Sequence, residues 1–132
     1  MGDIILNFAV RAGCRGAGKQ TRLYFDSGSP YTFVKQSVAR RLGKVMKLSE
    51  PRPFRGLGNG GFRASSVVDL EIHFLDVWCP HIAYVVPDET LEPDEDMLVG
   101  HDLMQRLNIR LDPRGRDIML DRASLRRSLR VR

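Results

Sequence analysis

Between Val68 and Phe74 apolar and polar residues alternate without a break. Val68, Leu70, Ile72 and Phe74 fall on one register, and Asp69, Glu71 and His73 on the other. A period of two marks a strand with one face buried and one face wet, and it is incompatible with a helix over the same residues. Ile4, Leu6, Phe8 and Val10 alternate with Ile5, Asn7 and Ala9, which suggests a second strand of period two. A Gly13–Gly18 turn and a returning strand over Thr21–Phe25 follow. His81–Val86 is a further strand, ended by Pro87, and Ile109–Leu111 and Ile118–Leu120 flank an Asp112-Pro113-Arg114-Gly115 turn. Helical spacing appears twice and briefly. Val38 and Leu42 sit at i, i+4 in Ser37–Leu42, closed by Gly43, and Leu103–Leu107 is a short helix with Asp102 expected as its N-cap. Short strands, Gly-rich turns and two brief helices predict a mostly-β barrel or sandwich.

The chain of 132 residues is the size of one domain. Its net charge of +5 is not spread evenly: Arg122 to Arg132 holds five arginines and no acid, leaving the first 121 residues formally neutral. A nucleic-acid-binding fold would put its basic groups on a structured face, so none is expected for the domain. We read residues 1–121 as the domain and 122–132 as a basic tail. A disordered end is the favoured reading of the tail, ahead of contact with phosphate-bearing partners and of docking through Leu125, Leu129 and Val131. Two cysteines, Cys14 and Cys79, are too few for a disulfide scaffold. The apolar runs are too short for a transmembrane segment, and no signal peptide or myristoylation pattern is visible. A soluble, cytoplasmic domain is expected, unless it is excised from a longer anchored protein.

Asp26-Ser27-Gly28 directly follows Leu23-Tyr24-Phe25, so a carboxylate leaves a buried strand into a tight turn. Alone, the tripeptide is an ordinary hairpin turn, since Asp and Gly favour turns for backbone reasons. Its company changes the reading. Phe54 and Phe62 bracket four glycines in Gly56-Leu57-Gly58-Asn59-Gly60-Gly61, a pattern suited to a hairpin tip, and Leu98-Val99-Gly100 opens the second helix. These pieces, with Phe25-Asp26-Ser27-Gly28-Ser29 and Leu98-Val99-Gly100-His101-Asp102-Leu103-Met104, resemble the retropepsin-like aspartic proteases in order and spacing. The resemblance covers Ile4 to Leu120. Ala39-Arg40-Arg41-Leu42-Gly43 and Leu107-Asn108-Ile109-Arg110-Leu111-Asp112 bring it nearer the cellular and bacterial members than the viral enzymes. Pro30 and His101 depart from the viral pattern, where an Asp and an Arg pair to brace the active-site loop.

The resemblance implies a single lobe, closed like a β-barrel, with a flap hairpin, psi-loops and two short helices. It also implies an aspartic endopeptidase without a cofactor. Such chemistry needs two carboxyls facing one water, and this chain has one Asp-Ser-Gly, so a homodimer would supply the second Asp26. Asp26 would then be catalytic. Ser27 would bond the partner's loop across the axis, Gly28 would offer its carbonyl to a peptide substrate, and Ser29 would donate to the outer carboxylate oxygen. Gly56, Leu57, Gly58, Asn59, Gly60 and Gly61 would form the flap, where closure calls on backbone freedom and bare N–H groups. Leu98 would line a side-chain pocket. Val99, Gly100, His101 and Asp102 would be structural, with Gly100 leaving room for the loop.

Other features have plainer readings. Cys79-Pro80-His81 offers too few ligands for zinc and no second cluster appears, so no metal is expected. His73 lies on a polar strand face, His101 is read as a satisfied structural histidine, and Trp78 and Phe74 as core or interface residues. The six acids between Asp88 and Asp96 read as a solvated loop. The alternative to the enzyme is a catalytically inactive protease-like dimerisation or peptide-binding module, tethered through its arginine-rich tail.

Overall fold

The computed structural model describes residues 3–13, 16–56 and 60–129. Its strands are β1 (Ile5–Ala12), β2 (Lys19–Phe25), β3 (Phe33–Lys35), β4 (Val45–Arg55), β5 (Gly61–Phe74), β6 (Val77–Val86), β7 (Met97–Val99), β8 (Arg110–Asp112) and β9 (Asp117–Met119). Its α-helices are α1 (Gln36–Leu42), α2 (His101–Leu107) and α3 (Arg122–Ser128), and a 3-10 turn covers Asp88–Thr90. The first seven strands form one sheet in the order β1-β2-β7-β3-β6-β5-β4, and β8 and β9 make a separate ribbon.

The alternation in β5 does what its period demands. Val68, Leu70, Ile72 and Phe74 are buried, while Asp69 faces out and Glu71 and His73 are half-buried. β1 pairs with β2 along Ile5–Val10 and then with β5 along Val10–Ala12, so one strand belongs to both flanks and curls the sheet into a barrel. The main core gathers Val10, Leu23, Phe25, Val34, Leu70, Ile72, Phe74, Leu103 and Leu107. A second cluster, Phe33, Phe54, Ala64, Val86, Leu91 and Leu98, lies beneath the β4–β5 hairpin with Tyr24, Tyr31, Phe62 and Tyr84 packed against it.

β7 is inserted between β2 and β3, parallel to the first and antiparallel to the second. This psi arrangement sets Phe25 beside Val99, so the chain segment after each strand emerges at the same place.

Three expectations change. The stretch after Asp121 is helical rather than a disordered end: Asp121 caps α3 through Ser124, at 2.8 Å to its N–H, and Leu125 is wholly buried in the main core. A third α-helix therefore joins the two expected. α2 begins at His101 with Gly100 as its N-cap, so Asp102 is inside the first turn rather than at the N-cap, and its carboxylate accepts the Leu103 N–H at 2.8 Å. The acidic Asp88–Asp96 loop is not simply solvated, because Glu95 and Asp96 are buried at its end. Asp96 pairs with Arg22 at 2.9 Å, and Asp88 accepts the Ser37 N–H at the start of α1. No helix among the described residues is long and apolar enough to cross a membrane.

Candidate active site

Asp26 stands at the first position past β2. Its N–H donates to the Val99 carbonyl at 3.0 Å, so the inserted β7 fixes where the aspartate leaves the sheet. The chain then turns: Ser29 N–H donates to Asp26 O at 3.1 Å, and Gly28 N–H donates to Asp26 Oδ1 at 3.0 Å. The second bond is an Asx turn, in which a carboxylate takes a backbone donor two residues on and fixes its own direction. Asp26 is half-exposed while Phe25 behind it is buried, so the carboxyl is presented from a rigid base.

Two hollows meet at Asp26. The larger, of about 320 Å³, runs from Gly28, Ser29, Pro30 and Tyr31 to Arg52, Pro53, Phe54, Arg55 and Gly56 on the β4 arm of the hairpin. The other, of about 240 Å³, is lined by Asp3, Tyr24, Thr90, Leu91, Glu92, Glu95 and Leu98 besides Asp26 and Gly56. Leu98 thus touches the site, as a nearly buried wall. Ser27, exposed, looks instead into a shallow depression with His101, Met104, Gln105 and Asn108.

The hairpin above the site is pinned below its tip. Phe54 and Phe62 are register partners with stacked rings 5.5 Å apart. Gly56 and Gly60 have φ of 97° and 105°, where a side chain would be strained, and so reverse the chain. Leu57, Gly58 and Asn59 lie outside the described residues. Arg52 ties the base of the hairpin to the floor. Its guanidinium lies over Tyr31 at 4.6 Å, and it donates to the hydroxyls of Tyr31, at 2.8 Å, and Tyr84.

Beneath the loop, α2 supplies the brace. Gly100 is pressed against backbone: a Cβ there would meet Tyr31 O at 2.2 Å and Ser29 O at 2.7 Å. His101 N–H and Asp102 N–H donate to the carbonyls of Ser29 and Pro30. Asp102 takes the Thr32 hydroxyl at 2.7 Å, the Thr32 N–H at 3.2 Å and His81 Nε2 at 3.0 Å. Arg106 reaches the other ring nitrogen of His81 at 3.2 Å and also the Pro80 carbonyl. The His81 ring is thus held between Arg106 on Nδ1 and Asp102 on Nε2. Burial acts to raise the Asp102 pKa, but the bonds from His81 and Thr32 outweigh it and hold the carboxyl below its usual range.

Two side chains differ from their expected roles. Ser29 is buried with its hydroxyl donating to the Tyr31 carbonyl at 2.8 Å, so it serves the loop backbone rather than the outer oxygen of Asp26. His101 is exposed and its side chain has no bond among the described residues, so it is not a satisfied structural histidine. The bracing falls to the neighbouring Asp102 with Thr32, His81 and Arg106. Thr32, Arg106, Arg52 and Tyr24 carry no motif, and only His81 drew notice, for metal chemistry. Its true partner is a carboxylate 21 residues away. Cys79 is a buried free thiol, pushed up to about 11 mainly by burial, and His73 leans on Trp78 at 4.6 Å.

No family model matches the chain. No curated protein matches it either. Solved structures do. The retroviral protease-like domain of Ddi1 from Leishmania major superposes with a TM-score of 0.57 at 16% identity, over 89% of this chain and 84% of that one. The EIAV protease in complex with the inhibitor HBY-793 gives a TM-score of 0.52 at 14% identity, over 84% and 93%. The mostly-β, barrel-like architecture with a few short helices matches the retropepsin-like single lobe, a likeness at the level of fold.

Proposed function

We propose that the protein is a homodimeric aspartic endopeptidase in which Asp26 from each of two copies activates a water against an extended peptide. The observation that carries this reading is Asp26 itself: held by Val99 and Gly28, it lies at the junction of two hollows beneath a hairpin. Two carboxyls held face to face share one proton. The ionised member takes a proton from water as it attacks the scissile carbonyl, and the protonated member gives its proton to the carbonyl oxygen. One lobe has one such aspartate, so the second comes through a two-fold axis. The exposed Ser27 is the residue to bond across that axis. The hairpin, with Gly56, Gly60 and Gly61 about its tip, closes over the substrate, and Gly28 meets its backbone.

Cleavage of a diverse peptide mixture by wild type and Asp26→Asn tests this reading. Defined cuts that fall by about 10²-fold or more in the variant support it, the usual scale for loss of a catalytic acid or base. A dimeric wild type that cuts nothing between about pH 3.5 and 7, where a carboxyl dyad titrates, returns the fold to a binding or dimerisation module.

A further inference from the structure

The first 121 residues are formally neutral, yet the fold separates their charges along β2. Past its Phe25 end, Asp3, Asp26, Glu92 and Glu95 share a hollow with no cation in its lining. At its Lys19 end the sign reverses. An open hollow of about 420 Å³ lies there, between the β1–β2 turn and the link from α1 to β4. Arg11, Lys19, Arg41 and Lys44 line it, and no carboxylate does. β2 has seven residues, so about 20 Å of strand separates this hollow from Asp26. The lining shares no residue with either hollow at the aspartate.

One of the four cations is engaged inside the fold. Arg11 pairs with Glu71 at 2.7 Å, donates to the Gly16 carbonyl at 2.9 Å and lies over Trp78 at 3.9 Å. The other three are exposed, and among the described residues none makes an ion pair. Arg41 suits the C-terminal end of α1, where a helix favours positive charge. Lys19 reaches the Arg41 carbonyl at 3.4 Å, which places its ammonium beside that guanidinium-bearing residue and leaves it without a counter-charge. Lys44 has a φ of 61°, a left-handed backbone that is strained for a side-chain-bearing residue. Three like charges gathered this closely repel one another, and an anionic surface relieves them.

Two observations narrow what that surface is. The hollow continues past Lys44 into a second one with Val45 and Met46, which are 42% and 46% exposed, and Asp69 is the one acid on that rim. Cations beside bare apolar side chains suit a bilayer, whose headgroups take the charge and whose acyl boundary takes the apolar groups. No aromatic ring is among the described residues lining the basic hollow, and nearby Trp78 is engaged by Arg11 and His73. The stacking platform that single-stranded nucleic acid calls for is therefore missing.

We propose that this end of the lobe is a peripheral membrane-binding face, with Lys19, Arg41 and Lys44 on anionic lipid headgroups and Val45 and Met46 entering the boundary beside them. Asp26 then lies at the far end of β2 from the bilayer. The inference stands apart from the endopeptidase reading and is tested without cleavage.

The test is sedimentation of the full chain with vesicles of phosphatidylcholine alone, or with about one third phosphatidylserine. The wild type should pellet with the anionic vesicles at low salt, come off as salt screens the charges, and ignore the neutral ones. A basic residue near an anionic surface is worth about fivefold in affinity, so Lys19→Gln/Arg41→Gln/Lys44→Gln should bind on the order of 10²-fold more weakly. Val45→Thr/Met46→Thr should weaken binding without changing its salt dependence. All five positions are exposed, so both variants should melt with the wild type. Arg126→Gln/Arg127→Gln, on exposed positions of α3, should lose far less than the triple variant. A wild type that stays off the anionic vesicles, or a triple variant that binds like it, overturns the proposal. So does a loss in the α3 variant that equals or exceeds that of the triple variant. Capture of a fluorescent single-stranded oligonucleotide in place of vesicles, lost in the triple variant, overturns the membrane in favour of nucleic acid.

Discussion

The Thr32 hydroxyl donates to Asp102 Oδ1 at 2.7 Å, and the same oxygen accepts the Gly100 N–H at 3.1 Å. One buried side chain therefore joins the segment after Asp26 to the start of α2, using both capacities of a hydroxyl. Thr32→Val keeps the shape and removes both bonds, leaving Gly100 N–H and Asp102 without this partner. The expected loss is about 1–3 kcal/mol of stability, the cost of stranding buried polar groups. Thr32→Ser should recover most of it. Chemical denaturation of the three proteins decides the matter, and a valine variant as stable as wild type would sink the argument.

Acid should loosen the same brace in a defined direction. The Asp102 carboxyl is held below its ordinary value near 3.8, because bonds from His81 and Thr32 outweigh burial. Its ionised form therefore contributes stability that is fully present above about pH 4 and is lost as pH falls through the lowered pKa. Asp102→Asn should be less stable than wild type at neutral pH, and the gap should shrink as pH drops below that window. Some acid sensitivity will persist in the variant, since Asp96 is also lowered: burial opposes, but Arg22 prevails. A gap that stays constant from pH 7 to pH 2 would contradict this account.

Gly100 allows no side chain. An alanine methyl would have to occupy a point 2.2 Å from the Tyr31 carbonyl oxygen, and backbone on both sides cannot swing away. Gly100→Ala should cost about 3 kcal/mol or more, at the upper end of overpacking changes. Because the displaced atoms belong to the Asp26 loop, any peptidase activity should fall with it. Thermal melting of Gly100→Ala against wild type checks the first part.

The arginine-rich end holds a core residue. Leu125 is wholly buried and Leu129 packs partly against the same cluster. Leu125→Ala should cost about 2–5 kcal/mol, as deletion of a buried leucine side chain does, and Leu129→Ala distinctly less. Truncation after Asp121 should destabilise the lobe at least as much as Leu125→Ala. A truncated protein with an unchanged melting temperature would show that α3 is dispensable.

How much of this was written in the residue order varies by element. β1, β2, β5 and β6 were legible because each has a long enough alternation or apolar run to show its period. β4 was not: ten of its eleven residues are exposed or half-buried, it contains Pro51 and Pro53, and its conformation comes from pairing with β5. β3 and β7 are three residues long and buried throughout, so no alternation exists to be read. In α3 the pair Leu125 and Leu129 was legible as a docking alternative, but the run of arginines put a disordered end ahead of it. At the site, Asp26 announced itself by its motif and neighbours. Ser29 did not announce that its hydroxyl would turn to Tyr31, nor Glu95 that it would be buried, because both depend on where distant segments fall. The missing viral-type brace was visible as Pro30 and His101. Its replacement was not, since Thr32, His81, Asp102 and Arg106 meet only once α2 has docked on β6.

The division of the interior into two clusters has a consequence for how the protein breathes. The aromatic group under the hairpin, centred on Phe33, Phe54 and Leu98, is distinct from the barrel cluster around Leu70 and Phe74. A lobe with two interiors has two opening free energies, and the smaller interior yields first. Amide protons of the β4–β5 arms beyond Val67 should then exchange with solvent by a local event, while those of Leu70 and Ile72 wait for the whole barrel to unfold. The covering arm and the floor that presents Asp26 are in this sense separate thermodynamic units joined along one continuous strand.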